Sequence, residues 1–104
     1  MERSLSVLLP VQNAQSTLAE AVLDLLEVLP ELTSHFELVI VDDASQDATI
    51  EVADELAARY PQITALRHAT PKGRLAAIAT GLGQSHGDVI LLQDADCAVA
   101  SDEI

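Results

Sequence analysis

Aromatic residues are nearly missing from this chain: 104 residues hold no Trp, one Phe and one Tyr. Single-stranded nucleic-acid binding needs aromatic platforms for base stacking, so that class is excluded. Basic residues are almost as scarce, five Lys and Arg against 17 Asp and Glu, which gives a formal charge of −12. So acidic a surface repels phosphate backbones and anionic headgroups, leaving nucleic acid and membrane surfaces as poor partners. Cys97 is the single cysteine, so no intrachain disulfide is expected and the chain fits a reducing, cytoplasmic compartment. A lone thiol beside Asp96 reads most simply as a small buried filler. No apolar run approaches the roughly 20 residues of a membrane span, and the first residues lack a secretory pattern; this chain is not expected to insert into a membrane.

What is present is aliphatic. Hydrophobic residues make up 49% of the chain, nearly all Ala, Leu, Val and Ile, as suits a parallel sheet covered by helices. One small domain over residues 1–104 is expected. Residues 5–9 form an apolar run that Pro10 is expected to end, since proline cannot continue a central strand. Leu18, Val22, Leu25, Leu26 and Leu29 follow at helical spacing, with Thr17 and Glu20 as a capping box and Pro30 as a stop. Residues 36–41 are a second strand. Ser45 or Asp47 then caps a helix that turns Ile50, Ala53, Leu56 and Ala57 inward, ended by Pro61. Residues 63–66 form a third strand, Leu75, Ile78, Ala79 and Leu82 an inward helical stripe closed by Gly83 and Gly87, and residues 89–92 a fourth strand.

Strand and helix thus alternate three times over. The expected fold is α/β, a Rossmann-like three-layer sandwich with a mainly parallel four-stranded sheet flanked by helices. Such sheets bind ligands outside the carboxyl ends of their strands. Polar residues collect there: Gln12 and Asn13 after strand one, Asp42 and Asp43 after strand two, Arg67 and His68 after strand three, Asp94 and Asp96 after strand four. Adjacent acids repel one another, and a helix cap accounts for one of Asp42 and Asp43, not both. Three of the five basic residues, with His68, crowd into residues 67–74, either as a solvated loop or as a positive spot for a phosphate. His35, His68 and His86 share no metal-ligand spacing, and His68, at a strand end, is the better functional candidate. Asp94-Ala95-Asp96 offers two hard carboxylates to a divalent cation.

Three ordered segments carry a more specific signal. Val7-Leu8-Leu9-Pro10-Val11-Gln12-Asn13, then Val41-Asp42-Asp43-Ala44-Ser45-Gln46-Asp47-Ala48-Thr49, then Gly87-Asp88-Val89-Ile90-Leu91-Leu92-Gln93-Asp94-Ala95-Asp96 resemble the opening half of an inverting family 2 glycosyltransferase of GT-A fold. The resemblance implies a site for a nucleoside-diphosphate sugar, UDP- or GDP-linked. By it, Pro10, Val11 and Asn13 line the base, Asp42 binds base or ribose with Asp43 in support, and Lys72 and Arg74 stand near the nucleotide. Asp94 faces the ribose or sugar, and Asp96, with Asp94, ligates Mg²⁺ or Mn²⁺ on the diphosphate.

The sequence departs from that pattern in places. Gln12 replaces a common aromatic residue, Ala44 replaces a frequent glycine, and residues 68–74 follow the family's Asn- and Gly-rich segment loosely. Ile104 comes a few residues after the acid pair, so the acceptor site and the general base of an inverting transfer are expected to lie outside this sequence. No residue here matches that base, and the chain reads as a donor-binding half. A sheet without its later neighbours would expose apolar surface, which leads to an expectation of homo-oligomers, a symmetric dimer being the simplest. The rival reading is a non-catalytic α/β module used for protein interaction or oligomerisation. A phospho-accepting receiver domain fits poorly, because its acid pair follows the first strand and it needs a lysine later than Lys72. A nucleotidyltransferase lacks here its Gly-rich opening after strand one.

Overall fold

The computed structural model describes residues 3–93. Its elements are β1 (Leu5–Val11), α1 (Leu18–Leu32), β2 (Phe36–Asp42), α2 (Thr49–Arg59), β3 (Ile63–Arg67), α3 (Arg74–Gln84) and β4 (Val89–Leu92). The four strands form one sheet in the order β3-β2-β1-β4, every pairing parallel.

Strand alternation sorts the apolar residues into two cores. Val7, Leu9, Val11, Leu38 and Ile40 face the layer of α1 and α2, together with Leu18, Val22, Leu29, Ala53 and Leu56. Leu8, Val39 and Val41 face the other way and pack with Ala77 of α3. The central strands β1 and β2 are therefore buried on both faces, the α/β three-layer arrangement expected from the sequence. The chain steps from β1 to β2 to β3 with its helices on one face, then returns past β1 to β4 with α3 on the other. Strand order reverses between β1 and β4, and that reversal opens a crevice at the carboxyl rim.

Four local expectations need correction. Pro10 does not end β1; it lies inside the strand, paired with Val41 of β2. The Leu8 carbonyl, two residues back and hence on the same side of the strand, accepts from Gln93 N–H at 2.9 Å. The donor that Pro10 lacks therefore faces β4, whose pairing stops at Leu8 and Leu92, and the β2 side of the ladder is untouched. Thr17 precedes α1 without a side-chain capping bond, and Pro30 lies within the helix, three residues before Thr33. So late in a helix, the missing N–H of Pro30 costs only one bond of the last turn.

The fourth correction concerns α3. Leu75 and Leu82 are 82% and 48% exposed; Ala79 is exposed as well, and the buried residues are Ala77 and Gly81. Close approach explains this: a Cβ on Gly81 would stand 3.2 Å from Leu8 Cδ2, so small residues must face the sheet. Ile90, Leu91 and Leu92 of β4 are also exposed. Among the described residues, no helix is long and apolar enough to cross a membrane.

At the amino end of the sheet β4 is fastened by a buried hydroxyl. Ser6 Oγ donates to Glu37 Oε2 at 2.5 Å and accepts from Gly87 N–H at 2.8 Å. A side chain on Gly87 has no room, since a Cβ there would lie 2.7 Å from Ser6 N and 2.9 Å from Leu5 C.

Candidate functional site

Two loops are stitched together at the carboxyl rim. Asn13, with φ 54°, is a residue type that tolerates the left-handed region. Its N–H donates to Ser45 Oγ at 2.7 Å and its Oδ1 accepts from Gln46 N–H at 2.9 Å. Ala14 N–H donates to Thr49 Oγ1 at 2.8 Å, and Gln12 Nε2 donates to the Asp43 carbonyl at 3.0 Å. These bonds fix the loop after β1 against the loop after β2.

The two adjacent acids divide the work. Asp42 is fully buried; its carboxylate accepts the Ser45 hydroxyl and, at 3.3 Å, the Ser45 N–H. Asp43 turns toward the loop before α3. Its Oδ1 accepts from His68 Nδ1 and from Lys72 N–H, each at 2.8 Å, and its Oδ2 accepts from Gly73 N–H at 2.9 Å. The His68 bond, then the Lys72 and Gly73 amides against the opposing effect of burial, hold its carboxyl below the usual range. Of the two caps expected for α2, Asp47 rather than Ser45 receives its first N–H: Asp47 Oδ1 accepts from Thr49 N–H at 2.9 Å. Gly73, at φ 98°, adopts the left-handed backbone from which α3 starts.

A cavity of about 140 Å³ opens at this rim, lined by Pro10, Val11, Gln12, Asp43, Arg74 and Ala77. Of the residues proposed from sequence, the structure brings together Pro10, Val11, Asp43 and Arg74. Asn13 and Lys72 stand beside the cavity without lining it, and Asp42 faces Ser45. Asp94 and Asp96, the expected metal ligands, lie outside the described residues. Among the described residues no group of three or more His, Cys, Asp or Glu could hold a metal ion. Sequence reasoning noted Gln12 as a departure and missed Ala77. The signal for Ala77 was its spacing, four residues before Gly81 on the sheet-facing side of α3.

Chemically, the cavity joins apolar surface at Pro10 and Ala77, the Gln12 amide, and the cation of Arg74 at the positive end of the α3 dipole. A flat heterocycle suits the first and a phosphate the last. A larger cavity of about 340 Å³, whose lining includes Ser4, His35, Glu37 and His86, lies at the opposite, amino end of the sheet. Burial works against the Glu37 charge there, but bonds from the Ser6 hydroxyl and His86 N–H outweigh it and keep the carboxyl below its ordinary range.

Known proteins resemble this chain in sequence and in fold. A dolichol-phosphate mannosyltransferase of Pyrococcus furiosus is 36% identical over 91 residues, covering 88% of this chain and 25% of that protein. An undecaprenyl-phosphate 4-deoxy-4-formamido-L-arabinose transferase of Photorhabdus laumondii is 33% identical over 104 residues, covering 98% of this chain and 32% of that protein. The chain thus spans a third or less of the length of these relatives. Mannosyltransferase PcManGT of Pyrobaculum calidifontis, solved with GDP-Man and Mn²⁺, superposes with a TM-score of 0.83 at 24% identity, over 92% of this chain and 28% of that one. TarS 1-349 of S. aureus, solved with UDP, superposes at 0.71 with 26% identity over the same shares, 92% and 28%. The sheet order and helical layers are those of GT-A glycosyltransferases. The family model for glycosyl transferase family 2 matches residues 6–104, nearly the whole sequence, and the chain belongs to that family.

Proposed function

We propose that this chain is the donor-binding part of an inverting glycosyltransferase, taking a nucleoside-diphosphate sugar at the carboxyl rim of β1 and β2. The observation that carries this reading is the cavity at the strand-order reversal. It places Arg74 and the N-terminus of α3 beside an apolar slot on a chain of net charge −12. A local cation on an acidic body is the expected provision for an anionic ligand. The base lies against Pro10 and Val11, within reach of the Gln12 amide, and the diphosphate runs toward Arg74.

Asp96, with Asp94, holds Mg²⁺ or Mn²⁺ in this reading, because hard carboxylate oxygens beside phosphate are what these cations select. A cation held there would supply charge neutralisation for the departing nucleoside diphosphate. The transfer itself, to a hydroxyl or a lipid phosphate, needs a general base within hydrogen-bond reach of the acceptor, and we assign none in this chain. Polyprenyl phosphates in the names of two relatives support a lipid phosphate as acceptor.

Calorimetric titration with UDP and with GDP, with and without Mn²⁺, tests the reading. Saturable binding that strengthens with Mn²⁺ is expected, and Asp96→Ala should weaken it about tenfold or more, as loss of a metal ligand does. Failure of a folded protein to bind either nucleotide would refute the donor site.

A further inference from the structure

We propose that His68 is a positioning residue for the donor phosphates, acting through Asp43 on the turn that starts α3; this rests on the donor-site reading above. His68 is buried and does not line the cavity, so it is not a catalytic residue. Both ring nitrogens are engaged. An ionised Asp43 only accepts, so the ring carries its hydrogen on Nδ1 toward Oδ1 at 2.8 Å. Nε2 stands 2.8 Å from Thr80 Oγ1, two turns into α3. The His68 N–H is itself donated to the Asp42 carbonyl at 2.9 Å. The imidazole is therefore a strut between the end of β2 and the body of α3.

What the strut holds is the turn. The Asp43 carboxylate receives three donors, and two of them are the Lys72 and Gly73 amides immediately before Arg74. Where that carboxylate points decides where α3 begins, and so where Arg74 and the helix N-terminus meet a phosphate. Removing the ring frees Asp43 to rotate and leaves space between β2 and α3. A histidine serving only to fill the core would affect folding stability without distinguishing one part of the ligand from another.

The test compares His68→Ala and His68→Asn with wild type, with Mn²⁺ present throughout. Binding of UDP and GDP is measured beside that of uridine and guanosine, which lack the phosphates. Amide hydrogen exchange is followed at Lys72, Gly73 and Ile40, the last reporting whether the core remains folded. For His68→Ala the expected result is about tenfold weaker nucleoside-diphosphate binding, unchanged nucleoside binding, and faster exchange at Lys72 and Gly73 alone. His68→Asn, whose amide can donate to Asp43, should recover most of the affinity. Equal weakening of nucleoside and nucleotide, or unchanged exchange at the two amides while wild type binds, overturns the proposal alone. Absence of nucleotide binding by wild type overturns the donor-site reading and this proposal with it.

Discussion

Ala44 follows the acid pair with φ 57°, in the left-handed region where a Cβ crowds the following carbonyl. Its position demands a glycine-like backbone, and the loop stays in place because Asn13, Ser45 and Gln46 lock it from both sides. Ala44→Gly should therefore stabilise the chain by about 1 kcal/mol, the steric cost of one left-handed Ala. Thermal unfolding would show this as a midpoint about 4–8 °C higher; an unchanged or lower midpoint would mean the loop carries no such strain. This detail was half legible in the sequence, since Ala44 stands where the resemblance expects glycine, but the substitution did not reveal that the backbone keeps the glycine conformation. The pair Asp42-Asp43 was legible in the same partial way. Two acids at a strand end marked the rim, yet strand alternation sent one to Ser45 and the other to the α3 turn, and only tertiary structure shows which.

At the scale of the element, α1 and α2 bury the faces their periodicity marks, and α3 does not. Leu75, Ile78, Ala79 and Leu82 make a good helical stripe, but how closely a helix can approach a sheet depends on side-chain size as well as on polarity. Ala77 and Gly81 allow α3 to lie against Leu8 and Val41; Ile78 packs partly against the same core, while Leu75 and Leu82 are displaced outward. Leu75→Gln should then change stability by less than about 0.5 kcal/mol, as exposed substitutions do. Ala77→Leu should cost about 1–3 kcal/mol by forcing α3 off the sheet. Urea unfolding of both variants checks this, and the reverse ranking would restore the stripe read from the sequence. Pro10 teaches the same lesson for a strand: the rule against proline holds for each ladder separately, and β1 has one ladder on each side.

For the molecule as a whole, the order of elements was fully legible, because each parallel strand is an aliphatic run and each crossover an amphipathic one. The strand order β3-β2-β1-β4 was not, since nothing in a run of Val and Leu names its neighbour. That order makes the site: it puts the reversal at β1, and so brings Pro10, Val11 and Gln12 opposite Arg74. Size alone would direct a ligand elsewhere, to the larger cavity at the amino end of the sheet, but among the described residues its lining combines Glu37 with two histidines and holds no Lys or Arg. The decisive measurement is a ¹H–¹⁵N NMR titration of the chain with UDP and GDP in the presence of Mg²⁺. The account predicts saturable shifts at Val11, Gln12, Asp43, Gly73, Arg74 and Ala77, with Ser4, His35 and His86 unmoved. Shifts confined to the amino-end cavity, or none at either end, would contradict it.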